Sequence, residues 1–126
     1  MRIEETPNSP LVNLSVEDCT FIIKGNSFSD NLSEIYDKVN DWIDNEMPKI
    51  ECSIECKFSF YVYNSITYKN ILLFMSKFHE LKVSGKLIKI IWYYDKEDED
   101  NLAIGEDIKD LFNLPVQIIE NKNKYC

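Results

Sequence analysis

Residues 50–63 alternate between apolar and polar side chains almost without error. Ile50, Cys52, Ile54, Cys56, Phe58, Phe60 and Val62 fall on one side, and Glu51, Ser53, Glu55, Lys57, Ser59, Tyr61 and Tyr63 on the other. A period of two belongs to a β-strand, whose successive side chains point to opposite faces. A strand with one apolar and one polar face fits a sheet covered on one side only, because the central strands of a doubly wound sheet are apolar on both faces. This segment therefore predicts a two-layer protein.

The flanking segments supply the second layer. Apolar runs at 11–16 and 20–24, separated by Glu17-Asp18-Cys19, predict an antiparallel hairpin. Leu32, Ile35, Tyr36, Val39, Trp42 and Ile43 recur at helical period until Pro48, with Asn31 and Glu34 at capping-box spacing. A second helix is predicted from about residue 65 to 83, with the stripe Ile71, Phe74, Met75, Phe78 and Leu81 and with Gly85 beyond its end. Residues 87–94 (LIKIIWYY) read as a strand. A third helix carries Leu102, Ile104, Ile108, Leu111 and Phe112, and residues 115–120 form a last strand. Residues 1–10, with Pro7 and Pro10, read as an extended arm and 121–126 as a polar tail. The expected fold is a single α/β domain over 1–126, ordered β-β-α-β-α-β-α-β. Its five-stranded sheet is mixed and mostly parallel, with the helices mainly on one face. Right-handed crossovers lay such strands side by side in chain order.

Charge narrows the partners. With 14 Lys and Arg against 22 Asp and Glu, the net charge is −8, which repels nucleic-acid backbone and anionic lipid, so neither is expected as a partner. The N-terminus lacks a signal-peptide core and no run approaches ~20 apolar residues, so a cytoplasmic location is expected. In that compartment Cys19, Cys52, Cys56 and Cys126 are expected as free thiols. On a strand, Cys52 and Cys56 stand about 13 Å apart, too far to share a zinc, and read as small buried side chains. Only three glycines occur, none clustered, so no phosphate-cradling loop is present and no cofactor is expected.

In a parallel sheet, ligands and modifications gather where strands end and helices begin. Two neighbouring loops qualify. The first is Tyr63-Asn64-Ser65-Ile66-Thr67-Tyr68-Lys69, which sets two hydroxyls at a helix N-terminus, where free N–H groups and the helix dipole favour an anion. Ser65 reads as an N-cap, as a phosphoacceptor, or as both; Thr67 is the alternative acceptor. The second loop, Asp95-Lys96-Glu97-Asp98-Glu99-Asp100, reads as a solvated helix start, a magnesium site, or a docking surface for a basic partner. The docking reading assigns partner binding to Asn64, Lys69, Asp95, Glu97, Asp98, Glu99 and Asp100, with no metal. Catalysis is not expected: the one histidine, His79, lies four helical turns from Ser65, roughly 20 Å at 1.5 Å per residue.

The chain as a whole resembles the SiaC family of bacterial regulatory phosphoproteins. The resemblance rests on the Thr6-Pro7-Asn8-Ser9-Pro10 arm, the Lys24-Gly25-Asn26-Ser27-Phe28 turn, Asn31 with the first helix through Trp42, Tyr63-Asn64-Ser65, and Trp92-Tyr93-Tyr94-Asp95 running through the acidic stretch to Gly105-Glu106-Asp107. It implies a partner switch, phosphorylated by a cognate Ser/Thr kinase and dephosphorylated by a PP2C-type phosphatase. Its unphosphorylated form would bind a target such as a diguanylate cyclase. Ser65 would be the phosphoacceptor. Serine stands here where threonine is often found, and Ile66 where a small polar residue is common, which keeps Thr67 as the second candidate. Anti-anti-sigma (STAS-like) domains share the logic of a serine at a helix start beside a parallel sheet.

Overall fold

The structure, a computed structural model, describes residues 1–121. Its elements are β1 (Arg2–Ile3), β2 (Leu11–Ser15), β3 (Thr20–Ser27), α1 (Leu32–Asn45), a 3-10 turn (Met47–Lys49), β4 (Ile54–Tyr63), α2 (Ser65–Val83), β5 (Ile88–Asp95), α3 (Glu99–Leu111) and β6 (Val116–Asn121). The strands lie in chain order in one sheet, antiparallel from β1 to β3 and parallel from β3 to β6. The sixth strand, beyond the five expected, is β1. It is too short to show a pattern, and it is zipped to β2 by the Leu14 amide donating to the Met1 carbonyl at 2.8 Å.

One face of the sheet forms the core. Phe21, Ile23, Phe58, Phe60, Ile90 and Trp92 pack against Tyr36, Val39, Trp42, Ile71, Phe74, Phe78 and Ile108 from the three helices. Phe21 sits at the centre, its ring 5.2 Å from Phe78 and 5.7 Å from Phe58 in tilted and edge-on contacts, the arrangements that ring quadrupoles favour. On α3, Gly105 lies directly over Trp92; a Cβ there would stand 2.6 Å from Cδ1 of the indole. Only a bare backbone lets α3 approach the sheet this closely.

The alternation holds from Ile54 to Phe60 and fails at both ends. Before Ile54 the chain is a loop, because the ladder to β5 begins with the Ile54 amide on the Leu87 carbonyl. Cys52 is therefore exposed instead of buried. It is bonded to Cys19 in the β2–β3 turn, with the Cα atoms 6.2 Å apart, inside the range a disulfide spans. This corrects the expectation of free thiols for that pair. Cys56 is a free thiol and buried, and burial holds its pKa well above the usual thiol value. Cys126 and the rest of the expected tail after Asn121 lie outside the described residues.

At the other end a bulge inverts the pattern. Gly25 is opposite Phe60, but Ser27 is opposite Tyr63, so β4 carries one extra residue. The phase flips after the bulge. Tyr63 packs against Phe60 with centroids 5.8 Å apart, while Val62 is 57% exposed, the reverse of the expected order. The Asn26 side chain fills the gap, accepting from the Val62 amide at 3.2 Å and donating to the Pro7 carbonyl at 3.0 Å, which also pins the arm. The expected Asn31–Glu34 capping box does not form: Asn31 makes no cap bond, and its side-chain oxygen takes the Ser29 hydroxyl. Leu111, the final residue of α3, is exposed rather than buried. No helix among the described residues is long and apolar enough to cross a membrane.

Candidate functional site: two helix mouths on one rim

Because β4 and β5 are adjacent and parallel, the N-termini of α2 and α3 open side by side at one edge of the sheet. At the α2 mouth, Asn64 is the N-cap, its Oδ1 accepting from the Thr67 amide at 3.2 Å. Its own amide donates to the Ser27 carbonyl at 3.2 Å, which ties the loop to β3. Ser65, the first helical residue, is exposed. No acidic residue occupies the first turn of α2, so its electropositive end is not neutralised from within.

Thr67 points the other way. It is fully buried, and its hydroxyl donates to the Ser27 carbonyl at 2.9 Å. The Ser27 hydroxyl lies 2.6 Å from Thr67 Oγ1 and 2.6 Å from the Tyr36 hydroxyl. With one proton on each oxygen, Tyr36 can donate to Ser27, Ser27 to Thr67, and Thr67 to the backbone, so all three buried hydroxyls are satisfied. Burial pushes the Tyr36 phenol pKa up, against the lowering effect of its bonds to Ser27 and Thr67.

The α3 mouth repeats the design with other residues. Asp98 is the N-cap, accepting from the Asn101 amide at 3.0 Å. Asn101 is fully buried. Its side-chain amide donates to the Tyr93 carbonyl at 3.4 Å, and its own carbonyl accepts from the Trp92 indole at 2.9 Å. Here the first turn already carries Glu99 and Asp100. Tyr63 joins the two mouths, its hydroxyl 3.4 Å from Asn101 Oδ1. Its pKa is pushed up to about 12 by burial first, then by the charges of Asp98 and Asp100, and last by Tyr68.

Among the described residues, no His, Cys, Asp or Glu cluster is arranged to hold a metal ion. The carboxylates of the acidic loop diverge: Asp98 turns in to cap α3, Asp95 meets Asn121 at 3.2 Å, and Glu97, Glu99 and Asp100 are exposed. Lys69 is exposed one turn into α2. Exposed apolar side chains stand near the rim: Phe28, Val62 and Ile66 are each between 39% and 57% exposed, and apolar surface beside a polar rim suits protein association.

Residues 3–121 match the family model of the SiaC family regulatory phosphoproteins. The chain belongs to the SiaC family. Over 118 residues, 94% of each chain, it is 19% identical to an uncharacterised protein of Pseudomonas aeruginosa (strain UCBPP-PA14). Its fold is shared with SiaC of Pseudomonas aeruginosa. In the crystal structure of the diguanylate cyclase SiaD in complex with its activator SiaC, the TM-score is 0.88 at 18% identity, covering 96% of this chain and 99% of that one. For apo-SiaC the TM-score is 0.85 at 18% identity, covering 94% and 97%.

Three residues of this site are not evident from the sequence. Ser27 and Tyr36 complete the hydroxyl chain, and Asn101 bridges the mouths. The signal for the last was the repeated spacing of a cap and a polar residue three positions on, Asn64 with Thr67 and Asp98 with Asn101.

Proposed function

We propose that this SiaC-family chain is a phosphorylation-controlled binding module whose acceptor is Ser65. A cognate Ser/Thr kinase would act on it, a PP2C-type phosphatase would reverse the modification, and the unphosphorylated form would bind a target such as a diguanylate cyclase. The observation that carries this reading is the contrast between two hydroxyls on one helical turn. Ser65 is exposed at the uncompensated end of α2, whereas Thr67 is buried with its hydroxyl bonded. A phosphoryl group brings about −1.5 to −2 charges to a position where helix N–H groups can receive it. Beside Glu97, Glu99 and Asp100 it would make the rim strongly negative, so a partner seated beside Ser65 would meet a dianion where the unmodified chain has a neutral hydroxyl. Asn64, Lys69, Asp95 and Asp98 complete the proposed docking rim. The solved complex of SiaC with the diguanylate cyclase SiaD is the precedent for a target of that class, in the cytoplasmic location that such a switch implies.

Peptide mapping after incubation with the cognate kinase tests the acceptor. We expect phosphate on Ser65, none on Ser65→Ala, and undiminished incorporation in Thr67→Val. Phosphate retained by Ser65→Ala would overturn the assignment.

A further inference from the structure

Parallel strands are almost always covered on both faces. In this protein β3 to β6 are parallel, yet the helices pack on one face only. The bare face is not an ordinary wet surface. The register places Ile22 beside Lys57 and Lys57 beside Ile91, and then Ser59 beside Tyr93 and Tyr93 beside Ile119. Tyr61 stands over this row, 48% exposed. A groove of about 300 Å³ runs between Ile22, Lys24, Lys57, Tyr61 and Tyr93.

Its charge opposes that of the molecule. In a chain of net charge −8, this face presents Lys24, Lys57 and Lys89. Its carboxylates are Glu55, whose strand neighbour is Lys89, and Asp95 at the upper edge, which meets Asn121. None of the ion pairs among the described residues uses any of these three lysines. Lys57 is flanked across the strands by Ile22 and Ile91, so its alkyl stem adds to the apolar surface while its ammonium group supplies charge.

We infer that the bare sheet face is a second docking surface, built for an acidic amphipathic segment of a partner protein. The segment's apolar side would cover Ile22, Tyr61, Tyr93 and Ile119, and its carboxylates would meet Lys24 and Lys57. Nothing in this assignment depends on Ser65.

Two fluorescein-labelled synthetic helical peptides with identical leucine spacing test it, one with glutamate and one with lysine at the polar positions, each titrated into the full unphosphorylated chain. The glutamate peptide is expected to bind, to weaken as salt is raised, and to shift the methyl resonances of Ile22 and Ile119. The double variant Lys24→Glu, Lys57→Glu should bind it about tenfold or more weakly while the core methyls of Ile90 and Ile108 keep their positions; Ser65→Glu should bind it normally. Equal binding of both peptides, binding of neither, or shifts confined to the helical side would overturn the inference. So would concentration-dependent shifts of the same methyls without peptide, since a second copy would then be the occupant.

Discussion

The two helix mouths on the rim share one plan and differ in one respect. Asn64 and Asp98 cap their helices in the same way, and Thr67 and Asn101 turn inward at equivalent positions to tie the first turn to the sheet. Between cap and anchor, α3 carries Glu99 and Asp100, whereas α2 carries Ser65 and Ile66. One mouth thus has its negative charge encoded; the other has a hydroxyl at the position that Glu99 occupies. Phosphorylation of Ser65, as proposed, would give α2 the charge that α3 has permanently. On the proposed reading, a constant mouth and a switchable one, side by side, would let a single modification extend the negative charge of α3 across to α2 without refolding the rim.

If the inward anchors are equivalent, removing either should cost stability in the same range. Asn101→Ala is expected to lose about 2–3 kcal/mol, because the Tyr93 carbonyl and the Tyr63 hydroxyl lose a buried partner. Thr67→Val keeps the shape but leaves the Ser27 carbonyl and hydroxyl short of a partner, at about 1–3 kcal/mol. Denaturant midpoints measure both, and a neutral Thr67→Val would break the comparison. A smaller effect sharpens it. Ser65→Glu copies the α3 arrangement onto α2 and should raise stability by about 0.3–1 kcal/mol at neutral pH, with the gain disappearing at high salt. Thermal melts at two ionic strengths would reveal it.

The smallest effect concerns the bridge. Burial and the nearby Asp98 and Asp100 push the Tyr63 pKa up to about 12 in the folded chain, against about 10 for a phenol in the unfolded chain. A raised folded value means that its contribution to stability is fully present below pH 10 and is lost as pH climbs from 10 towards 12. Tyr36 shifts in the same direction. An ultraviolet titration of wild type against Tyr63→Phe should remove one late-ionising phenol and flatten the loss of stability in that window.

Long periodic segments were the legible ones. The second helix was expected from about residue 65 to 83, and α2 spans Ser65–Val83, because its stripe repeats over several turns. The strand pattern was legible for as long as local alternation set the register. It failed at residues 61–63, because the bulge depends on β3 and on Asn26 reaching across, neither of which leaves a trace in the period of β4. Cys52 was misplaced for a related reason: the alternation continues into a loop that the 3-10 turn and the Cys19 contact define. At the rim, the pairing of loops followed from topology. The division of roles between Ser65 and Thr67 did not, since burial of Thr67 requires Ser27 and Tyr36, which come from β3 and α1. A faint sign was present nonetheless, because Thr67 lies one turn before Ile71 on the same inward stripe.

The central claim reduces to whether a phosphate on Ser65 changes what the rim can hold. Calorimetric titration of a diguanylate cyclase, the proposed target class, with the unmodified chain and with the chain phosphorylated at Ser65 measures this directly. The account predicts an affinity at least about tenfold lower for the phosphorylated form, since like charge set against a partner's interface costs on the order of several kcal/mol and about 1.4 kcal/mol is already tenfold. Equal affinity for the two forms would contradict it.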